Sequence, residues 1–211
     1  MKPYFQDDAV TIYHGDCREI VPTLGRFDLL LTDPPYGIAG VWKGGFGHGW
    51  GKAMEDSAMR NEWDAEAPDI AWLLDVAKVS MVWGGNHFKL PLSRSWLVWN
   101  KPERGFSLSE AELAWTNRNN VVRVFDYKRS DIGREHPTQK PLALMTWCIG
   151  LAGDVQTILD PFAGSGTTGR AAKDLGRKAV LIEREERYCE IAAKRMAQGA
   201  LNFGTANRSI A

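Results

Sequence analysis

The most informative segment for the fold is residues 155–169, Val155-Gln156-Thr157-Ile158-Leu159-Asp160-Pro161-Phe162-Ala163-Gly164-Ser165-Gly166-Thr167-Thr168-Gly169. Its first residues, with Val, Ile and Leu in a short run, predict a buried strand. The glycines then permit a sharp turn, and a helix is predicted from Thr167 to Leu175. A strand, a glycine-rich turn and a helix in succession are typical of a doubly wound α/β fold.

The rest of the chain continues the alternation of strands and helices. Apolar runs bounded by turn residues predict six further strands, at 9–14, 27–32, 79–83, 95–99, 111–116 and 178–182. Periodic segments predict helices that begin near Pro68, Pro141 and Glu186. The strands at 95–99 and 111–116 are close enough along the chain to pair as a hairpin. We expect one α/β domain over residues 1–211, with a mainly parallel, doubly wound sheet.

The glycine-rich turn has the features of a cofactor site. Its glycines satisfy G-x-G-x-x-G, and Glu183 ends the next strand, where a carboxylate accepts hydrogen bonds from ribose hydroxyls. A nicotinamide dinucleotide is therefore one candidate. Asp160 argues against it, because a carboxylate beside the turn would repel a pyrophosphate and attract a cationic amino acid group. S-adenosylmethionine combines ribose, adenine and an amino acid, and it is the favoured ligand. A P-loop is excluded, since Arg170-Ala171 replaces the required Lys-Ser/Thr.

A second motif, Asp33-Pro34-Pro35-Tyr36, follows the apolar run 27–32. It places a carboxylate, two rigid backbone carbonyls and an aromatic face at the end of a predicted strand. The prolines donate no hydrogen bond, so the carbonyls beside them stay free as acceptors. This combination suits a planar ring that carries an exocyclic amino group. A plain turn after the strand is the alternative interpretation.

The composition limits the classes of protein to be considered. Of the 211 residues, 44% are hydrophobic and 25% charged, and the formal net charge is zero, as in an ordinary globular domain. We find no membrane span and no signal-peptide core in the sequence. Cys17, Cys148 and Cys189 are too few and too far apart for a disulfide framework or a zinc site. We expect a cytoplasmic protein without a metal centre.

Three motifs in a fixed order together resemble a known family. They are Asp33-Pro34-Pro35-Tyr36, His136-Pro137-Thr138-Gln139-Lys140-Pro141 and the segment 160–166. In this order they are similar to the amino-group DNA methyltransferases of the permuted (beta) class, in which the target-base motif precedes the cofactor motif. Three further segments resemble small phage-type members: Trp83-Gly84-Gly85-Asn86-His87-Phe88, Trp99-Asn100-Lys101-Pro102 and Glu112-Leu113-Ala114-Trp115. The resemblance implies a seven-stranded Rossmann-like sheet with one antiparallel strand.

The resemblance also implies a role for each matching residue. Asp33, Pro34, Pro35 and Tyr36 would be the catalytic motif. S-adenosylmethionine would be bound by residues of the turn and of the strand ends that face it: Asp16, Cys17, Thr138, Lys140, Asp160, Phe162, Gly164, Gly166 and Glu183. Three of these have a second interpretation, since Asp16 is also placed to cap a helix, Cys17 to be a small buried residue and Lys140 to be solvated.

The implied reaction is direct methyl transfer to an exocyclic amine of a DNA base. Hydrogen bonds to the Asp33 carboxylate and the Pro34 carbonyl would free the lone pair of the amine, and much of the rate would come from positioning. The base must be flipped out of the duplex, and Tyr36 offers a face for stacking. Carbon-5 cytosine chemistry is disfavoured, because it needs a cysteine after a proline and this chain has none.

Asp33 stands where many cytosine enzymes have Ser, so N6 of adenine is the favoured target. N4 of cytosine is the main alternative. RNA methylation, a non-catalytic module that binds the cofactor and DNA, and a nicotinamide-dependent oxidoreductase are the others.

Two segments are candidates for contact with DNA. Residues 37–63, rich in glycine and tryptophan, predict a mobile lid. Residues 117–135 stand where the family has its target-recognition region, and they are short. Their basic side chains suit contacts with phosphates and bases: Arg118, Arg123, Lys128 and Arg129. We expect a monomer or homodimer that associates with the nucleoid when it is bound to DNA.

Overall fold

The computed structural model describes residues 1–38, 64–104, 109–128 and 139–198. Within these ranges nine strands form one sheet. The strands are β1 Phe5–Gln6, β2 Val10–His14, β3 Phe27–Thr32, β4 Ala77–Trp83, β5 Trp96–Asn100, β6 Ala111–Thr116, β7 Arg123–Asp126, β8 Thr157–Asp160 and β9 Lys178–Glu183.

The strands lie in the order β1-β2-β9-β8-β3-β4-β6-β5-β7. The five strands from β2 to β4 in this order are mutually parallel, whereas β6 runs antiparallel to both of its neighbours. The predicted doubly wound, mainly parallel sheet and the hairpin of β5 and β6 are thereby confirmed.

Two edge strands exceed the seven that the sequence predicts. β1 has only two residues, too few to show a period, and it adds a second antiparallel strand. Three of the four residues of β7 are exposed. An exposed edge strand needs no alternation of apolar and polar residues, which is why the sequence does not reveal it.

Within the described ranges, four α-helices and three short 3₁₀ helices accompany the strands. The α-helices are α1 Cys17–Ile20, α2 Leu142–Ala152, α3 Thr167–Asp174 and α4 Glu186–Ala197. The 3₁₀ helices are Val21–Thr23, Ala71–Val76 and Gly85–His87. The helix predicted to begin near Pro68 is thus a 3₁₀ helix, and Ala77 begins β4 instead, where it pairs with Phe27 of β3. Among the described helices, none is long and apolar enough to span a membrane.

The side chains of β3 alternate between two cores. Leu29 and Leu31 face the core that α2, α3 and α4 cover, whereas Leu30 packs with Ile20 and Leu73 on the other face. Both faces of the strand are buried, which explains its nearly continuous apolar sequence.

The five parallel strands end at one edge of the sheet, where doubly wound proteins bind their ligands. The residues at this edge come from five separate parts of the chain: Asp16, Glu183, Asp160, Asp33 and Gly84.

Candidate active site

The glycine-rich turn connects β8 to α3. Gly164 and Gly166 have φ angles of 49° and 78°, in the region that favours glycine. A Cβ at Gly166 would lie 2.8 Å from Cβ of Ala192, so glycine lets the turn pack against α4. A Cβ at Gly164 would meet no atom within 4 Å. The backbone at Gly164 therefore borders open space, as a turn that receives a ligand requires.

Asp160, the last residue of β8, is buried and held by neutral donors. Its Oδ1 accepts hydrogen bonds from Thr32 Oγ1 at 2.8 Å and from the Phe162 amide at 3.2 Å. Its Oδ2 accepts one from Thr168 Oγ1 at 2.6 Å. Burial raises the pKa of Asp160 to about 6, because these donors offset only part of the cost of desolvation. No cation among the described residues forms an ion pair with this carboxylate.

Glu183 lies across from the turn at the end of β9. One carboxylate oxygen accepts a hydrogen bond from the Gly164 amide and the other from the Glu185 amide, each at 2.8 Å. Burial raises the pKa of Glu183 despite these bonds. The hydrogen bond from the Gly164 amide thus links Glu183, at the end of β9, to the part of the turn that borders open space.

Asp16 and Cys17 follow β2, next to Glu183 in the sheet. The Asp16 carboxylate caps α1 by accepting from the Arg18 amide at 2.8 Å, and it pairs with the Arg18 guanidinium at 2.7 Å. The capping interpretation of Asp16 is therefore confirmed. Cys17 is buried, as its alternative interpretation predicts, and burial raises the pKa of its thiol to about 11. Both residues border the same edge as Glu183, because the Gly15 amide donates to the Glu183 carbonyl at 3.0 Å.

A brace that the sequence does not reveal supports the turn from α4. Arg195 donates to Thr167 Oγ1 at 2.9 Å and to Gln139 Oε1 at 3.2 Å. Ser165 also donates to Gln139 Oε1 at 3.2 Å. The start of α3 is thereby tied to the residue before Lys140. Thr138, predicted to line the cofactor pocket, lies outside the described residues.

Asp33 follows β3 and lies beside the cofactor turn, since its neighbour Thr32 donates to Asp160. Its Oδ1 accepts a hydrogen bond from the Tyr36 hydroxyl and its Oδ2 one from Lys140 Nζ, both at 2.5 Å. Burial raises the pKa of Asp33, and the ammonium of Lys140 opposes this rise. Lys140, predicted to line the cofactor pocket, thus lies against the predicted catalytic carboxylate, and the interpretation that it is solvated is wrong, because its side chain is only 5% exposed.

Tyr36 is fixed on several sides. Its ring stacks on His87 with a centroid distance of 5.0 Å and an angle of 12°. A Cβ at Gly84 would lie 2.0 Å from the Tyr36 ring, so only glycine permits this approach. The amides of Tyr36 and Gly37 both donate to Asp64 Oδ1, at 2.6 and 2.9 Å. Pro34 is buried and Pro35 half-buried between the two fixed ends of the motif.

Asp64 also bears on the predicted lid. Its two hydrogen bonds hold together the two ends of the segment 37–63, of which residues 39–63 lie outside the described ranges.

The three described basic residues predicted to contact DNA lie at two different edges of the sheet, Arg118 and Arg123 near the amino end of β5 and Lys128 beyond the carboxyl end of β7. Arg118 donates to the Leu151 carbonyl at the end of α2, and its neighbour Asn117 bonds to Ser80 and Lys78 in the first half of β4. Arg123 begins the edge strand β7 and is exposed. Lys128, also exposed, follows the carboxyl end of β7. Arg129 lies outside the described residues, as does the remainder of the predicted recognition segment beyond it.

The geometry joins an acidic, glycine-rich cofactor turn to a carboxylate that is followed by Pro-Pro-Tyr. A family model for DNA methylases of the N6/N4 type matches residues 77–194, more than half of the chain. The chain belongs to the N6/N4 DNA methylase family. Membership confirms the predicted enzyme class, an S-adenosylmethionine-dependent DNA methyltransferase that modifies an amino group.

Curated relatives of this methylase match it over nearly its full length. Type II methyltransferase M2.MboI of Moraxella bovis is 28% identical over 92% of this chain and 91% of the relative. Type II methyltransferase M2.DpnII of Streptococcus pneumoniae is 25% identical over 92% of each chain.

Solved structures share the fold of the methylase. The complex of M1.HpyAVI with S-adenosylmethionine has a TM-score of 0.57 and 22% identity, over 89% of this chain and 99% of that one. The cytosine-N4-specific PvuII DNA methyltransferase has a TM-score of 0.61 and 15% identity, over 95% and 90%. At these identities the likeness concerns the fold alone.

Several site residues escape sequence reasoning. Asp64, His87 and Glu112 contact the predicted catalytic motif or Lys140 beside it, yet the sequence assigns them no role. A weak signal exists for two of them, since His87 and Glu112 belong to segments that resemble phage-type enzymes. Asp64 gives no signal, because its contact depends on how the segment after Tyr36 returns to the sheet.

Proposed function

We propose that the methylase transfers a methyl group from S-adenosylmethionine to N6 of adenine in DNA. One observation carries the proposal. The hydrogen bond from Thr32 to Asp160 places the residue before Asp33 against the cofactor turn, so the methyl donor and the target amine would meet between two adjacent strand ends.

The cofactor side has the donor and acceptor groups that this ligand needs. S-adenosylmethionine supplies an electrophilic methyl group on a sulfonium. Asp160 is a buried carboxylate without a described counter-cation, and it would accept the ammonium of the ligand. Glu183 would accept the ribose hydroxyls, and the open backbone at Gly164 leaves room for the ligand to approach. The rest of the border of this ligand space would be formed by four residues: Gly166, Phe162, Asp16 and Cys17.

The target side is built to accept hydrogen bonds from an amine. Each oxygen of Asp33 has one donor in the structure, and a carboxylate oxygen accepts two. The adenine amine would donate to Asp33 and to the Pro34 carbonyl, which draws the nitrogen toward tetrahedral geometry and frees its lone pair for in-line attack. Because N6 is shielded in stacked duplex, the base must be flipped out, and the aromatic pair of Tyr36 and His87 would support it.

N4 of cytosine is the alternative target, because Asp33 and the Pro34 carbonyl would accept hydrogen bonds from any exocyclic amine. The carboxylate at position 33 favours adenine, since many cytosine enzymes of this type have Ser there. The test is transfer of a labelled methyl group to unmodified DNA, followed by nucleoside analysis. N6-methyladenine is the expected product. N4-methylcytosine would overturn the choice of base, and label in RNA alone would overturn the choice of nucleic acid.

We also propose that Lys128 contacts the DNA backbone, because it follows the carboxyl end of β7. Lys128→Ala should weaken DNA binding a few-fold and lower the salt dependence of binding by about one counterion. Lys178→Ala, at the start of β9, is the matched control, and it should bind DNA as the wild type does. Equal salt slopes for all three proteins would remove Lys128 from the interface.

A further inference from the structure

A row of alternating charges leads from Asp33, at the end of β3, to Glu112 near the start of β6 and to Lys101 just beyond the end of β5. Lys140 Nζ lies 2.5 Å from Asp33 Oδ2 and 3.0 Å from Glu112 Oε2. Lys101 Nζ donates to the other oxygen of Glu112. The side chains of Lys140 and Lys101 are each only 5% exposed. The carboxylates of Asp33 and Glu112 are 21% and 22% exposed, so two partly exposed carboxylates neutralise two buried ammonium groups.

The charges in this row depend on one another, because a buried charge is costly unless it is paired. Burial raises the pKa of Glu112, but Lys140 and Lys101 more than offset this effect and the pKa falls to about 2. Burial lowers the pKa of Lys140, but Asp33 and Glu112 more than offset this effect as well. Glu112 and Lys140 are therefore both ionised at neutral pH.

Glu112 is the rigid member of the row. It lies in β6, paired with Trp99 of β5 on one side of a strand that also pairs with β4. Lys140, by contrast, has a long side chain and precedes α2 outside any regular element. Among the described residues, Glu112 Oε2 has no donor other than Lys140, which it contacts as an ion pair. The strand therefore gives the lysine a fixed anchor on the side away from Asp33.

We propose that Glu112 is a positioning residue for methyl transfer: it holds the ammonium of Lys140 against Asp33 and so fixes the carboxylate that receives the target amine. The inference rests on the proposed function through the role of Asp33. Lys140 lies between Glu112 and Asp33, and no contact joins Glu112 to the cofactor turn among the described residues, so removal of Glu112 should lower the rate of the chemical step and leave ligand binding intact.

The first test compares Glu112→Gln with Glu110→Gln, an exposed glutamate just before the same strand. Glu112→Gln should lower kcat about 10- to 100-fold, as misplacement of a reacting group does. KM for DNA and the Kd of S-adenosylhomocysteine should stay within twofold, and Glu110→Gln should match the wild type. Added to Lys140→Met, Glu112→Gln should cause no further loss. Losses that multiply, or a loss confined to KM, would overturn the proposal. Glu112→Asp, which keeps the charge, should fold and lose less activity if Glu112→Gln is unstable.

A second test does not need turnover. The titration of Asp33 is followed by ¹³C NMR, with Asp33→Asn to assign the signal. The charged or titratable groups that face Asp33 are Lys140, Tyr36, Glu112 and Asp160. If Glu112 anchors Lys140, Glu112→Gln lets the ammonium move away and the pKa of Asp33 rises. If Lys140 stays in place without Glu112, the loss of a nearby negative charge lowers the pKa and the proposal fails. A wild type without methyl transfer would refute the proposed function and leave this result standing.

Discussion

Asp33 and Asp160 occupy equivalent places in the sheet, but they are held in opposite ways. Both stand before a proline at the end of a buried parallel strand, and the two strands are adjacent. Among the described residues, Asp160 accepts hydrogen bonds from neutral groups alone, the hydroxyls of Thr32 and Thr168 and one backbone amide. Asp33 accepts from the ammonium of Lys140.

We propose that this edge of the sheet uses two similar side chains for two different tasks. A carboxylate without a described counter-cation can accept one from a ligand, and in the proposed function Asp160 would bind the ammonium of the cofactor. A carboxylate that already has a cation gains little from a second one, and it is suited to accept hydrogen bonds from a neutral amine. Four substitutions test this difference between Asp33 and Asp160.

Asp33→Asn should have the largest effect. It keeps the shape of the side chain but removes the charged acceptor, so methyl transfer should fall about 10³-fold, as it does when an oriented catalytic group is lost. Binding of S-adenosylhomocysteine, measured by calorimetry, should stay unchanged. Asp75→Asn, an exposed aspartate, is the control and should keep full activity. Full transfer by Asp33→Asn would show that the two carboxylates do not divide the tasks in this way.

Asp160→Asn should weaken cofactor binding more than it lowers the rate of the chemical step. Loss of a charged partner for the ammonium should weaken S-adenosylhomocysteine about 10- to 100-fold in calorimetry. In the wild type, affinity should rise as the pH is raised through about 6, because the ligand prefers the ionised carboxylate and the pKa is raised to about 6. The variant should lack this pH dependence, and a variant that keeps it would contradict the assignment.

Asp160 also makes the stability of the free protein depend on pH. Its folded-state pKa of about 6 exceeds the unfolded value, so the folded protein binds the extra proton between about pH 4 and 6. The contribution of Asp160 to the free energy of unfolding is present below about pH 4 and is lost as the pH rises through 6. The free energy of unfolding therefore falls by on the order of 3 kcal/mol over this range. Urea titrations of the wild type and Asp160→Asn at several pH values measure the difference.

Gly164→Ala tests whether the open space at the turn receives the ligand. The substitution strains a left-handed φ at a cost of about 1 kcal/mol and should weaken S-adenosylhomocysteine about tenfold. Gly176→Ala is a matched control, because Gly176 also has a positive φ and open space around its Cβ position. It should lose similar stability in thermal melts and no affinity. Equal affinities would show that Gly164 only forms the turn.

Thr168→Val should have the smallest effect. It removes one neutral donor from Asp160 and should lower the free energy of unfolding by about 1 kcal/mol. It should also move the pH dependence of ligand binding to higher pH, since the ionised carboxylate loses a hydrogen bond. Thr11→Val, in β2, is the control. A shift toward lower pH would mean that the Thr168 hydroxyl does not donate to the ionised form.

The strand and the helix around the predicted cofactor turn could be predicted from the sequence because they depend on local patterns. Thr168 lies eight residues after Asp160, and the strand, the turn and the helix between them form one continuous segment. The donor from Thr32 was not predictable, since it depends on β3 lying beside β8. The DNA-binding prediction grouped residues by their proximity in sequence, yet the structure places Arg118 at the end of α2 and Lys128 beyond β7.

The sequence by itself determined the order of the motifs, the doubly wound sheet and the residues at its carboxyl edge, because strand periodicity, prolines and glycines act over a few residues. Which charged side chains form ion pairs, by contrast, depends on the tertiary structure. Lys140 is 107 residues from Asp33, and it reaches Glu112 because β6 inserts antiparallel between β4 and β5. Burial makes this pairing necessary, because a charge removed from water is unfavourable unless a group of opposite charge lies beside it in the protein.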